Sequence, residues 1–275
     1  MAKRRRKNTL SNSVRKRKIS RKKKNKYVLK LFLFFITILI VVATTILYLR
    51  YRSYIADFFS NREQPVFRIP QGYSVHGIDV SHHQKQINWM QVSDCQMDSI
   101  KIEFAFIKAT EGKDWKDTCF DYNIRAARGQ GLLCGAYHFY NPRTNSTEQA
   151  KNFINTVCLK PGDLPPVLDI ELISLYGMEN LRKGIRNWLK IIENHYGVKP
   201  IIYTNNSYHK DYLLKHGFEE YPFWIAHYYI DSVDSQSNWI FWQHTDKGKV
   251  KGIQTDVDMN VFRGTSDDLK LWCVK

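Results

Sequence analysis

Pro165-Pro166-Val167-Leu168-Asp169-Ile170-Glu171 sets two carboxylates into an apolar run that opens on a pair of prolines. The run reads as a strand, and side chains on a strand alternate between its faces. Asp169 and Glu171 then share one face, with α-carbons roughly 6.6 Å apart at about 3.3 Å per residue, while Leu168 and Ile170 pack on the other. Two like charges that close in a confined site do not both ionise fully, so one keeps its proton to higher pH and serves as an acid. Such a pair is the outline of glycosidase chemistry. Its plain alternative is a solvated polar strand edge, and the flanking sequence has to decide between the two.

Short apolar runs recur on both sides of this strand. Strand candidates are Ser74–Val80, Phe104–Ala109, Leu133–Tyr140, Pro166–Glu171, Pro200–Thr204, Phe223–Tyr228, Ile240–His244 and Val257–Phe262. Between the earlier ones, Phe120–Gly129, Thr147–Val157 and Met178–Tyr196 carry apolar residues three and four apart, the helical period. Gly129, Gly131 and Gly197 stand where helix C-caps would return the chain to the next strand. Strand, helix, strand repetition predicts an α/β fold with parallel pairing, and eight strands in about 200 residues predict a closed, TIM-like (β/α)8 barrel. The last three connections are too short for full helices, so the second half should depart from eightfold regularity. An open doubly wound sheet is the alternative, but no Gly-rich phosphate loop supports it. In such a barrel the active site lies at the C-terminal ends of the strands.

Charge divides the chain independently of these motifs. Residues 1–30 hold 15 Lys and Arg and no acid, whereas the remaining 245 residues carry 27 basic and 26 acidic side chains. The formal charge of +16 therefore belongs to the tail and signals no basic groove for nucleic acid. Residues 31–49 are free of charge, and as a helix they would span roughly 28 Å, the depth of a bilayer core. Tyr27, Tyr48 and Tyr51 flank the run, Arg50 and Arg52 close it, and no small-residue cleavage site follows Ala43 as in a signal peptide. The expected organisation is a basic cytoplasmic tail over 1–30, a transmembrane helix over 31–49, a linker over 50–72 and a barrel over 73–275. The basic bias before the run makes this a single-pass protein of the cell membrane, with the barrel periplasmic or extracellular.

A barrel directs attention to polar residues at strand ends. In Gly77-Ile78-Asp79-Val80-Ser81, Asp79 faces away from Ile78 and Val80; in Thr255-Asp256-Val257-Asp258-Met259-Asn260-Val261-Phe262, Asp256, Asp258 and Asn260 share one face. First and last strands are neighbours in a closed barrel, so Asp79, Asp169, Glu171 and Asp258 converge from distant parts of the chain. Four acids could hold calcium or magnesium, but no EF-hand-like loop is present and the histidines lack zinc-ligand spacing, so neither a metal nor a cofactor is expected. His82-His83 reads as loop surface, and His138 as a hydrogen-bonded wall residue with no Ser or Cys nucleophile motif beside it. Cys95, Cys119, Cys134, Cys158 and Cys273 form no C-x-x-C pair and read mostly as small buried hydrophobes. Tyr137, Tyr140, Tyr203, Trp224, Tyr228, Trp239 and Trp242 fall on or near strand ends, where several must be core and the rest offer ring faces to sugar C–H groups.

In chain order, Gly77-Ile78-Asp79-Val80-Ser81 with Trp89 following, Phe106-Ile107-Lys108-Ala109-Thr110-Glu111-Gly112, Gly135-Ala136-Tyr137-His138-Phe139, Pro166 to Glu171, Pro200-Ile201-Ile202-Tyr203-Thr204, Trp224-Ile225-Ala226, Trp242-Gln243 and Val257 to Phe262 resemble the landmarks of glycoside hydrolase family 25. These are lysozymes that cleave the β-1,4 bond of N-acetylmuramic acid in peptidoglycan. The resemblance covers about residues 73–265. It implies that Glu171 is the general acid/base and that Asp169 assists by positioning the substrate's N-acetyl group, with Asp79 and Asp258 completing the acid ring. It also implies that Tyr137, Tyr203 and Asn260 line the −1 subsite, with Trp224 and Gln243 as further substrate contacts. Lys85 and Asn88 stand where relatives often carry Gly and Asp, and Asp256 is an extra acid. These departures touch the rim rather than the catalytic centre.

The expected protein is thus a membrane-anchored, monomeric muramidase acting on peptidoglycan glycan strands. A catalytically weak wall-glycan-binding module would keep the aromatics but need not keep all four acids. A nucleic-acid-binding membrane protein would rest on the tail alone, which positive-inside insertion already explains. An amidase or peptidase of the wall peptide would want a metal or a Cys/His pair, and neither is visible.

Overall fold

The computed structural model describes residues 30–46, 69–97, 100–233 and 238–275. The chain divides into two units, Met1–Val66 and Phe67–Lys275. In the first, residues 30–46 form a helix whose large apolar side chains, from Leu31 to Ile46, are exposed. Among the described residues no helix is long and apolar enough to cross a membrane. Residues 47–49 of the expected span, the tail before Lys30 and the linker through residue 68 lie outside the described residues.

Eight strands close the second unit into a barrel: β1 (Val75–Val80), β2 (Ile100–Glu111), β3 (Leu133–Phe139), β4 (Val167–Asp169), β5 (Ile201–Asn205), β6 (Phe223–Ala226), β7 (Trp239–Gly248) and β8 (Val257–Phe262). Each falls on one of the eight apolar runs. β1 pairs with β2 on one side and β8 on the other, which closes the circle. Neighbours from β1 to β7 are parallel, whereas β8 runs antiparallel to both β7 and β1. Here lies the irregularity expected of the second half: β7 turns back through a hairpin, leaving no crossover to fill with a helix. A short helix, α1 (Trp89–Ser93), follows β1, and fuller ones follow the next three strands: α2 (Phe120–Gly129), α3 (Ser146–Thr156) and α4 (Met178–Tyr196). Only the turns Asn206–Tyr208 and His209–Leu213 follow β5.

Alternation along the strands builds two cores. Ile78, Val80, Ala105, Ile107, Leu168 and Ile202 face out and pack under the helices. α4 answers them with Leu181, Ile185, Trp188, Leu189 and Ile192, a stripe at helical spacing whose members each contribute roughly 1.5–3 kcal/mol by burial. Gly197, in the left-handed conformation at φ 70°, ends that helix as a C-cap. Val75, Phe104, Phe106, Val167, Ile201, Trp224, Phe241 and Phe262 face in and fill the barrel. A Cβ at Gly77 or Gly135 would collide with the Phe104 or Phe106 ring, so these two inward positions stay small to admit the phenylalanines. A last helix, α5 (Ser266–Trp272), begins at a Thr265/Asp268 capping box and contributes Leu269 to this inner core.

His138 is the wall residue that its surroundings in the sequence suggested. The Thr110 hydroxyl lies 2.7 Å from Nδ1, Nε2 lies 3.1 Å from Gln149 Oε1, and the ring stacks on Trp188. Burial pushes its pKa down to about 4, so it remains neutral, accepting from Thr110 and donating to Gln149. All five cysteines are free thiols; Cys95 and Cys134 are buried, whereas Cys158 is exposed.

Candidate active site

The inward faces change character along the barrel axis. On β1 the series runs Val75, Gly77, Asp79; on β2 Phe104, Phe106, Lys108; on β4 Val167, Asp169; on β5 Ile201, Tyr203; on β7 Phe241, Gln243. β8 runs the other way, so Phe262 comes last and Asp258 first. Every series therefore becomes polar at the C-terminal ends of the parallel strands. Register aligns them across the ladder: Asp79 lies opposite Asp258, Lys108 opposite Tyr137, Asp169 opposite Tyr203 and Gln243 opposite Asn260.

One pocket gathers Asp79, Lys108, Tyr137, Asp169, Glu171, Tyr203, Trp224, Gln243 and Asp258. All four acids singled out in the sequence are there. One detail differs: β4 ends at Asp169, and Glu171 lies two residues beyond it, exposed at the rim. The Ile170 amide still donates to Tyr203 O at 2.9 Å, which carries the alternation far enough to turn Glu171 toward the same pocket as Asp169.

Asp79 is held rigidly. Its Oδ2 accepts from Gln243 Nε2 and from Asn260 Nδ2, each at 2.8 Å. Gln243 Oε1 in turn accepts from the Tyr203 and Tyr228 hydroxyls at 2.8 and 2.6 Å, and Asn260 Oδ1 accepts from Trp224 Nε1 at 2.8 Å. Asn260, wholly buried, thus stands behind Asp79 rather than on the pocket wall. Trp224 is likewise buried, its ring stacked on Phe106 at 4.6 Å, and Gln243 has both ends of its amide committed. Of the aromatics near strand ends, Tyr140, Trp239 and Trp242 belong to the outer core. That leaves Tyr137, Tyr203 and the pocket-facing edge of Trp224 on the pocket wall, with Tyr228 bonded to it through Gln243.

Burial raises the pKa of every acid in the ring. Asp258 is raised by burial and then by the charge of Asp79, its hydrogen-bond partner. Asp79 is also raised by burial, but the Asn260 and Gln243 amides and Asp258 stabilise its charged form. The pair therefore shares a proton that resides on Asp258, leaving Asp79 the ionised member. Asp169, 6% exposed and with Oδ1 unpartnered, is pushed well above the carboxylate range by burial and then by the charge of Glu171, against the pull of Lys108. Glu171, open to solvent at the rim but partly desolvated on its pocket side, is raised by that desolvation, while the Tyr203 hydroxyl and Lys108 draw it back. Of the D-x-E pair it is Asp169, the more deeply buried, that is pushed further toward the protonated form in the free pocket.

Four lining residues went unmarked in the sequence. Lys108 is buried, donates to Glu111 Oε2 at 2.8 Å, and lies over the rings of Phe139 and Trp115 at 4.7 and 5.1 Å. Its signal was present: it follows Phe104 and Phe106 at strand spacing and so shares their inward face. Ser81, His83 and Phe139 also line the pocket. His82-His83 is more than loop surface, since His82 Nδ1 lies 2.8 Å from buried Asp117 in a turn capped by Ser81. Asp256 is half-buried, salt-bridged to Lys247 and Lys249, and outside the ring. Among the described residues no group of three or more His, Cys, Asp or Glu side chains is placed to hold a metal ion.

Comparison with known proteins places this geometry. A sequence model of the glycosyl hydrolases family 25 matches residues 78–253. The chain is 44% identical over 204 residues to the uncharacterized protein YegX of Escherichia coli (strain K12), covering 74% of this chain and 75% of that one. It is 36% identical over 209 residues to Lysozyme M1 of Streptomyces globisporus, covering 70% and 69%. Among solved structures, the bacterial lysozyme from Streptomyces coelicolor superposes with a TM-score of 0.67 at 33% identity, over 74% of this chain and 98% of that one.

Proposed function

The chain belongs to glycosyl hydrolase family 25 and is a glycoside hydrolase of the lysozyme class, and from that membership we propose that it cleaves the β-1,4 bond between N-acetylmuramic acid and N-acetylglucosamine in peptidoglycan, with Glu171 as the acid. The observation that carries this reading is the contrast between two carboxyls in one pocket. Asp169 is buried at 6% exposure, whereas Glu171 is exposed and can exchange its proton with water after each turnover. A general acid/base has to do the second.

One proton on the D-x-E pair then serves both residues. In the free pocket it rests on Asp169. An acetamido N–H donated to the pocket-facing oxygen of Asp169 would favour the carboxylate there and drive the proton onto Glu171, poised to protonate the leaving oxygen. Asp169 would then hold the N-acetyl group in place and oppose the positive charge that develops at the anomeric carbon. Asp79, ionised and clamped by Gln243 and Asn260, adds fixed negative charge on the far wall. Asn260 acts as a positioning residue behind it, Gln243 and Trp224 hold the clamp while lining the pocket, and Tyr137 and Tyr203 offer further wall contacts to the sugar. The pocket comes from a single chain, which supports action as a monomer on glycan strands.

Lys108 gives this assignment a pH test. Its charge lowers the pKa of both Asp169 and Glu171, so removing it raises them. An acid must be protonated to work, and activity falls as pH rises through the pKa of the pair. Lys108→Met is therefore expected to move the alkaline limb of kcat/KM to higher pH. A limb that stays in place, or moves down, would remove Lys108 from the electrostatics of the reacting pair.

We also propose that residues 31–49 anchor the protein in the cell membrane, with residues 1–30 cytoplasmic and the barrel periplasmic or extracellular. The uncharged run and the 15 basic residues ahead of it support this. Protease supplied outside the sealed inner membrane should degrade the barrel. Protection until that membrane is opened would reverse the orientation.

A further inference from the structure

A second groove, of about 900 Å³, lies between the turn after β1 and the β7–β8 hairpin. That is within the roughly 300–1,000 Å³ of small-molecule sites. It holds Lys85 and Asn88, the two rim residues that the catalytic reading leaves unused. Its frame is locked. The Asn88 amide donates to Gly252 O at 3.0 Å, and Gln84 Nε2 donates to Asp256 O at 3.2 Å while its Oε1 accepts from the Ser81 amide. The Tyr122 hydroxyl donates to Ile87 O at 3.0 Å. Gly252, at φ 96°, leaves no room for a Cβ against Asn88 O, and Lys85 is held at φ 56°, a conformation that favours glycine.

On this frame the functional groups are uncommitted. The side-chain amides of Gln86, Gln91 and Gln254 line the groove without a hydrogen-bond partner among the described residues. Thr255 Oγ1 is buried there, also without one. The Tyr122 ring is 47% exposed. Among the described residues no carboxylate lines the groove, and Lys85 is the one charged residue there. Carboxamides both donate and accept, which matches sugar hydroxyl and acetamido groups, and an open ring face suits their C–H surfaces. A peptide stem rich in carboxylates would call for more cations than one.

We propose that this groove is a second glycan site, which takes a neutral N-acetylhexosamine unit of the wall polymer and holds the strand without touching the bond that breaks. The assignment rests on the reading that glycan strands are the substrate. Both sites lie at the same end of the barrel: Ser81 and His83 line the catalytic pocket, and Gln84 and Lys85 the groove. Its occupation should therefore strengthen binding of long strands and leave the chemical step alone.

The test uses the full-length chain and the tetramer of N-acetylglucosamine as probe. In a Glu171→Gln background, the side-chain amide resonances of Gln86, Gln91 and Gln254 should shift on titration. Gln254→Ala and Gln91→Ala should each weaken the groove component of binding about 2–10-fold, the range for one lost hydrogen bond. With Glu171 intact, Gln254→Ala should raise KM on long strands by a similar factor, with kcat unchanged and hydrolysis of short fragments unaffected. Tyr122→Ala should act alike, and the two glutamine variants stand in if loss of the Ile87 contact unfolds it. Unmoved resonances with unchanged KM in an active enzyme would overturn the proposal, as would displacement by a sugar-free stem peptide. An enzyme that fails to hydrolyse peptidoglycan, yet binds the tetramer through these glutamines, would overturn the catalytic reading and leave the groove standing.

Discussion

Glu171→Gln is expected to lower kcat on purified peptidoglycan by about 10²–10⁴-fold, the contribution of general acid catalysis, and not to lower the thermal midpoint. Glutamine keeps the shape of the side chain, but it has no transferable proton. Glu171 is exposed, so the substitution leaves no buried group unpaired. A folded variant with near-normal turnover would refute the assignment, whatever the family resemblance implies.

Asp169→Asn should cost about 10²–10³-fold in kcat, because a carboxylate held against the reacting centre is lost. Its effect on stability should have the opposite sign. The wild-type carboxyl has a folded-state pKa raised well above its ordinary value of 3.8 by burial and then by Glu171. As pH rises past that ordinary value, the unfolded chain releases this proton while the folded chain keeps it, so the site takes away stability progressively until the folded pKa is reached. An amide has no proton to release. The variant should therefore melt no lower than wild type near pH 4 and increasingly higher as pH rises toward neutrality. Melting curves across that window, beside kcat, separate a catalytic role from a structural one. A midpoint that falls with activity would make Asp169 a packing residue.

Much of the fold is legible in the sequence. Every barrel strand coincides with an apolar run, and the departure from eightfold regularity follows from short connections that β8 satisfies by running antiparallel. The acid ring followed from alternation plus closure, which alone bring Asp79 and Asp258 into register. What alternation cannot supply is depth along the barrel axis. It turns Asn260, Trp224 and Gln243 inward, but only the hydrogen bonds show that Asn260 stands buried behind Asp79 while Trp224 and Gln243 keep a surface on the pocket. Depth also decides which member of the D-x-E pair keeps the proton, since burial outweighs charge in both. Lys108 was overlooked for a different reason. A lone lysine in an apolar strand reads as a surface residue until Phe104 and Phe106 fix its face and the Phe139 and Trp115 rings flank its ammonium.

The most direct measurement is the identity of the sugar end that the protein creates. Purified peptidoglycan would be digested with the full-length protein, the products reduced with borohydride, and the reduced sugar identified by mass spectrometry. Cleavage at the muramic acid bond predicts N-acetylmuramitol, in amounts that Glu171→Gln abolishes. N-Acetylglucosaminitol in its place would contradict the assignment and make the enzyme a glucosaminidase.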